Sequence, residues 1–199
     1  TTLYEAIEKD GFFFPPHPGD ESATVGGVIV TNAGGARALK YGIVRNFVRG
    51  IEVVLPTGEI INIGGKLMKN SAGYSLLNLL IGSEGTLGII TKAVINLLPP
   101  PAATLTLVVP FDDLHTAIRT VPKIFAAKII PMAIEFIETE PIRIAEDYLN
   151  KKWPTELGKA YLMIMVDGTE TEVMNTSETI ASVCLENQAV DVFVADTKD

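Results

Sequence analysis

The chain has 199 residues, 47% of them apolar and 20% charged, an ordinary globular composition with length for one large domain or two small ones. Acidic residues outnumber basic ones 24 to 16, and the net charge of -8 excludes the basic face that a nucleic-acid or anionic-membrane partner needs. A phosphate-bearing ligand would therefore have to be held by local backbone dipoles, because net charge repels it.

The N-terminal TTLYEAIEKDG has neither the basic start nor the apolar run of a signal peptide, and reads as the last turns of a helix closed by Gly11. Pro15, Pro16 and Pro18 hold the next stretch extended. Thr24 to Asn32 is expected to form a short helix, with Thr24 as N-cap and Gly26 and Gly27 in its first turn. Ile51, Val53 and Leu55 alternate as a strand, Pro56-Thr57-Gly58 turns, and Ile60 to Ile63 returns as the partner. Ser75 to Ile81 is a leucine-rich helical segment ended by Gly82, and Ile89 to Leu98 is a further strand. The stiff run Pro99-Pro100-Pro101 fits neither a helix nor a central strand. It marks the expected division into a domain over 1–98, a linker over 99–103 and a domain over 104–199.

Beyond the prolines the texture changes, with few glycines and alternating apolar and amphipathic runs. Leu105, Leu107 and Val109 alternate as a strand. Leu114, Ala117, Ile118 and Val121 mark one helix face, which Pro122 ends or kinks. Met132 to Glu138 reads as a strand and Glu140 to Asn150 as a helix. Tyr161 to Val166 is apolar on both faces, as in a central strand. Thr171 to Leu185 is a helix and Val190 to Val194 a strand. The order β-α-β-α-β-α-β predicts an α+β sheet with its helices on one face. The single cysteine, Cys184, lies on the apolar stripe of the last helix and reads as a buried core thiol; one thiol builds no internal disulfide or cysteine zinc cluster, which points to a reducing, cytoplasmic compartment. No apolar run reaches the ~18 residues of a membrane span.

Three glycine-rich loops carry the candidate chemistry. The first, Pro18-Gly19-Asp20-Glu21-Ser22-Ala23-Thr24, runs into Gly26 and Gly27. Amides in the first turn of a helix have no internal partner, and without side chains at the two glycines a phosphate or a flat ring can lie against the backbone. The second is Asn32-Ala33-Gly34-Gly35, and the third is Glu84-Gly85-Thr86-Leu87-Gly88-Ile89-Ile90 after Gly82-Ser83. None is GxGxxG after a strand or GxxxxGK[ST], so the Rossmann and P-loop readings fail. A plain turn into a packed helix accounts for any one of them; the three together suggest one large flat ligand.

The segments PPHPGDESATVGGVIVTNAGG, LKYG, VVLPTGEI and KNSAGYSLLNLLIGSEGTLGIITKA resemble, in order and spacing, the FAD-linked oxidase family, which includes glycolate oxidase flavin subunits, D-lactate dehydrogenases and D-2-hydroxyglutarate dehydrogenases. The likeness is close over 12–98 and looser over 104–199. It implies the second subdomain of a PCMH-type FAD-binding domain of the vanillyl-alcohol-oxidase fold, followed by part of a ferredoxin-like substrate cap. It also implies that positions 18–24, 26, 27, 32–35 and 84–90 contact FAD, largely through backbone groups. His17 stands where relatives have an acidic or small residue, and Ser75 where many have aspartate.

The resemblance further implies an internal segment. The family's first flavin loop and the histidine-rich end of its cap, which supplies metal ligands and the candidate base, have no counterpart here, and His17 and His115 alone build no metal site. No catalytic residue is assigned; Lys40, Tyr41, Arg45 and Tyr74 are candidates for the substrate or flavin edge, against a reading as packing or solvated side chains. The expectation is an FAD-dependent oxidation of a 2-hydroxy acid, its hydroxyl proton going to a base and its α-hydride to the flavin, with this chain incomplete on its own. A quinone or a protein as electron acceptor, a homo-oligomer and a partner carrying the missing parts all stay open. The alternatives are a structural or partner-binding subunit without flavin and a binder of another nucleotide.

Overall fold

The computed structural model describes residues 2–20, 22–150 and 156–195, which divide into two compact units, 1–100 and 101–199. In the first, helix α1 (Thr2–Lys9) buries Ile7 against Phe14 and Phe47 and is reversed at Gly11, whose φ is +73°. Phe13 and Leu98 then exchange backbone hydrogen bonds of 2.7 and 2.8 Å. Helix α2 (Val25–Val30) and the four-residue α3 (Ala38–Tyr41) follow. Strands β1 (Val48–Val54), β2 (Ile60–Gly64) and, after helix α4 (Leu76–Leu80), β3 (Ile89–Ile95) form an antiparallel sheet in the order β2-β1-β3. The central strand contributes Val48, Ile51 and Val53 to a core shared with Ile29 of α2, Val44, Leu80 and Ile81.

The second unit is an antiparallel sheet of β4 (Ala103–Phe111), β5 (Ala133–Glu138), β6 (Ala160–Gly168) and β7 (Phe193–Ala195), in the order β5-β6-β4-β7. Helices α5 (Leu114–Ala126), α6 (Thr139–Leu149) and α7 (Glu170–Glu186) connect them. Pleating explains the apolar run over 160–166 of β6. Leu162, Ile164 and Val166 point to a core closed by Ala117 and Ile124 of α5 and Val173, Ile180 and Cys184 of α7, whereas Tyr161 points to the other face. There Ile142 of α6 packs on Val108 and Tyr161, so the helices occupy both faces and not one, as their order suggested. An order of elements does not say which side a crossover takes; the apolar residues on the second face of β4 and β6 do. Helix α5 also runs through Pro122 to Ala126, where an end or kink is the sequence expectation. The burial of Thr120 and Ile124 on either side of the proline offsets the one backbone hydrogen bond that its missing N–H removes.

Helix α7 begins with a capping box: Thr169 Oγ1 accepts the Glu172 amide and the Glu172 carboxylate accepts the Thr169 amide at 2.9 Å. Thr169→Ala is expected to destabilise the protein by about 1 kcal/mol in urea unfolding, with the helix retained. Burial pushes the Cys184 thiol up to about 12, so thiolate is scarce at neutral and mildly alkaline pH. Alkylation at pH 8 should label Cys184 only after denaturant is added, and rapid labelling of the native protein would contradict its place in the core.

Candidate functional site

The first glycine loop is shaped by its own side chains. Asp20 Oδ1 accepts the Ser22 amide at 2.8 Å and the Ser22 hydroxyl at 2.7 Å, bonds that hold the carboxyl below its usual range and keep it ionised. The Ala23 amide donates to the Asp20 carbonyl. Thr24 then caps α2 in extended conformation, its Oγ1 accepting the Gly27 amide at 3.1 Å. That cap takes one of the first-turn amides; those of Val25 and Gly26 have no acceptor among the described residues. A Cβ on Gly26 would meet only the Ile90 carbonyl oxygen, at 3.6 Å, so packing leaves the backbone there bare on one side.

Helix α2 joins this loop to the other two. At its C-terminal end the Gly82 amide donates to the Ile29 carbonyl at 3.2 Å and the Glu84 amide to the Val30 carbonyl at 2.9 Å, which ties the third loop to the helix. The second loop leaves α2 through Asn32, left-handed at φ +51°, whose Oδ1 accepts the Arg45 amide at 3.1 Å. It returns to the first loop at Gly35. With φ +109° and an added Cβ only 2.1 Å from the His17 carbonyl oxygen, that position admits no side chain. Gly88 is equally constrained, since its Cβ would lie 2.6 Å from Val53 Cγ1. These two glycines are explained by loop-on-loop and loop-on-sheet packing; Gly19, Gly26 and Gly85 are not, because almost nothing lies near them.

The expected contacts therefore separate into groups. Pro18, Asp20, Ser22, Ala23 and Thr24 line a cavity of about 550 Å³ together with His17, α1 and Phe12–Phe14, a volume in the usual range of small-molecule sites. Glu21 lies outside the described residues. Asn32, Ala33, Gly34 and Gly35, and Glu84 to Ile90, do not line that cavity: Asn32 and Glu84 lie at the C-terminal end of α2, Gly35 comes back to His17, and Ile90 runs beside Gly26 in the first turn of α2. Within the third loop the Glu84 amide is bound to α2, the Thr86 amide and hydroxyl to the Ser83 carbonyl, and Ile89 and Ile90 pair with Val54 and Val53 in the sheet. Gly27 is held by the Thr24 cap, and Gly85, Leu87 and Gly88 belong to the open turn before β3.

This set fits a flavin nucleotide. In the cavity the Val25 amide, unpartnered among the described residues, offers a donor to a phosphate, an ionised carboxylate at Asp20 offers acceptors to sugar or ribityl hydroxyls, and an apolar wall completes it. Gly26, whose amide is also unpartnered among those residues, lies next in α2 and does not line the cavity. His17 stacks near Tyr4 with ring centroids 5.1 Å apart, and Tyr4 donates to the Pro16 carbonyl, so the histidine is part of the cavity's packing. Arg37, with its guanidinium 5.2 Å from the Phe13 ring centre, and the aromatics 12–14 also line it. The sequence reading omitted them, although three consecutive phenylalanines before a proline run were a visible signal. Lys40 and Tyr41 sit together, the Lys40 Nζ 5.6 Å from the Tyr41 ring centre, and Tyr41 packs edge-on against Phe13. Arg45 and Tyr74 share a different cavity. Among the described residues no cluster of three His, Cys, Asp or Glu side chains is placed to hold a metal.

Residues 1–64 match the family model of an FAD binding domain, and residues 100–199 match that of the C-terminal domain of FAD linked oxidases. A D-lactate dehydrogenase of Anaerostipes hadrus is 47% identical over 98% of this chain and 42% of its own length. The glycolate oxidase subunit GlcD of Bacillus subtilis is 43% identical over 99% of this chain and 42% of its own. The chain thus spans about two fifths of the length of the relatives it matches. A solved alkyldihydroxyacetonephosphate synthase shares the fold with a TM-score of 0.77 at 23% identity, covering 96% of this chain and 37% of that one.

Gly35→Ala should cost roughly 1–3 kcal/mol in denaturant unfolding, because the methyl group cannot fit beside His17 and the backbone is strained for any L side chain. Gly19→Ala, with open space around it, should stay within about 0.5 kcal/mol of the parent.

Proposed function

This chain belongs to the FAD-linked oxidase family, and from that premise we propose that it is part of a flavoprotein dehydrogenase that oxidises a small 2-hydroxy acid such as D-lactate, glycolate or D-2-hydroxyglutarate. The observation that carries the proposal is the convergence of three glycine loops on α2, the first two of them within residues 1–64 that match an FAD binding domain, in a chain whose relatives include a D-lactate dehydrogenase and a glycolate oxidase subunit. Bound FAD supplies the two-electron acceptor of the reaction.

In this reading the chain's own groups bind and orient. The Val25 and Gly26 amides hold a phosphate of the cofactor, and Asp20 accepts hydroxyl hydrogens from the sugar or ribityl portion. The bends at 32–35 and 84–90 present backbone and small side chains to the cofactor. Short-range amide dipoles do this work in a chain whose overall charge of -8 repels phosphate. The second unit is the proposed substrate cap. A buried, unpaired Cys184 supports a reducing cytoplasmic location, and the name of the B. subtilis relative supports assembly with further subunits.

The test uses the intact protein. Reconstitution with FAD should produce a flavin spectrum, and D-lactate, glycolate and D-2-hydroxyglutarate offered with an artificial electron acceptor should reveal one preferred substrate. An intact protein that holds flavin and turns over none of these acids defeats the substrate assignment; one that holds no flavin defeats the whole reading. Gly26→Val should lower FAD affinity by roughly 10- to 100-fold, the worth of one or two charge-assisted hydrogen bonds, while the circular dichroism spectrum is unchanged. Parental flavin content in that variant would place the cofactor elsewhere.

A further inference from the structure

A second cavity of the N-terminal unit is not used by the flavin reading. It has a volume of about 490 Å³ and lies beside β1 and the end of β2, under the segment KNSAGYS that leads into α4. Arg45 and Arg49 both line it. Arg45 is fixed at two points, its amide donating to Asn32 Oδ1 at 3.1 Å and its Nη2 to the Ile81 carbonyl at 3.0 Å. Its Nε is shut off from solvent with no acceptor, and the Nε of Arg49 is in the same condition. Neither arginine has an ion-pair partner among the described residues, and no carboxylate lines the cavity.

Donors without acceptors are costly when shut off from water, and more so on charged groups. Two such groups in one cavity also repel each other. A chain with 24 acidic side chains has ample means to pair them, and places none there. An anion in the cavity supplies the counter-charge that the two guanidiniums lack, although their Nε atoms, shut off from solvent, lie beyond its reach. The arginine fork matches a planar carboxylate through two parallel hydrogen bonds. Tyr74, 97% exposed at the rim, leaves the entrance open to a small molecule. The cavity also adjoins the glycine bends: a Cβ on Gly82 would lie 3.5 Å from Arg45 Nη2 and 3.3 Å from the Asn32 side chain.

We infer that this cleft is a binding site for a small carboxylate, its oxygens held by Arg45 and Arg49. That the carboxylate belongs to the 2-hydroxy acid rests on the proposed function; the anion site itself rests on the two arginines.

Calorimetric titration of the intact protein with oxalate, D-lactate and inorganic phosphate tests it. Oxalate and D-lactate should bind, and inorganic phosphate, which arginine forks also accept, is the competing arm. Arg49→Gln should weaken oxalate by about tenfold or more, the loss of one charged hydrogen-bonding group, and Arg49→Lys, which keeps the charge without the fork, by less. Flavin content and melting temperature should match the parent in both variants. The KM for the hydroxy acid should rise by a similar factor in Arg49→Gln, with kcat within about twofold. Unchanged oxalate affinity in Arg49→Gln overturns the proposal, as does phosphate binding tighter than oxalate. A loss of flavin in Arg49→Gln also overturns it, because the cleft would then hold a phosphate of the cofactor. Oxalate binding that depends on Arg49 in a protein devoid of flavin would leave this site standing and remove the flavin reading instead.

Discussion

Two hydrogen bonds at the C-terminal end of α2 hold the first unit's loops in place: the Gly82 amide on the Ile29 carbonyl and the Glu84 amide on the Val30 carbonyl. A helix of six residues has no independent stability, and most of its carbonyls lie in the last turn, where no helical amide reaches them. Thr31 and Ala33 reach the carbonyls of Gly27 and Val28, and the third glycine loop supplies amides to those of Ile29 and Val30. In doing so it is fixed against α2, and the bend at Asn32 is trapped between the two. The Thr24 cap does the same at the other end, tying the first loop to the helix. Ile29, fully buried between the hydrogen-bonded ends, anchors the assembly in the core of the sheet. The three loops are thus positioned by one short element and not by three separate packing solutions.

This arrangement explains how an acidic chain can offer anion sites. Charge of one sign spread over a surface acts over roughly a Debye length, about 10 Å at moderate salt, whereas an unpartnered amide or guanidinium acts at contact. Three surface carboxylates are engaged locally: Asp20 with Ser22, Glu52 with Lys92 and Thr91, Asp113 with Thr116. Each of these bonds holds its carboxyl below the usual range, so the three stay ionised and act as fixed acceptors. Val25, at the start of α2, lines one cavity of the first unit, and Arg45 and Arg49 line another.

The second unit solves a simpler problem. Its sheet has apolar residues on both faces of β4 and β6, and each face needs a cover. Helices α5 and α7 bury the larger one around Ile164, Ile180 and Cys184, and α6 with Ile142 covers part of the other. Tyr161 shows the compromise on that second face: its ring is buried, burial raises the phenol above its ordinary value, and the hydroxyl reaches the Gly158 carbonyl.

Much of the local structure was legible in the residues. The helix cap at Thr24 and the doubly apolar run at 161–166 follow from rules that act over a few positions, and those elements lie within a residue or two of where the rules put them; the strand read from the alternation in 51–55 begins three residues earlier, at Val48. The glycine loops could be recognised as loops for the same reason. Which glycines serve packing and which leave bare backbone was not legible, because it depends on what the chain brings up from 18 to 64 residues away: His17 against Gly35, Val53 against Gly88, Ile90 against Gly26. The side of the sheet taken by α6, the continuation of α5 through Pro122 and the pairing of Arg45 with Arg49 in one cavity were likewise decided by tertiary contacts. Sequence determined the elements, since hydrogen bonds and rotamer preferences within a turn are local. Only the fold decided which polar groups end without partners, since satisfaction of a buried donor is a property of everything packed around it.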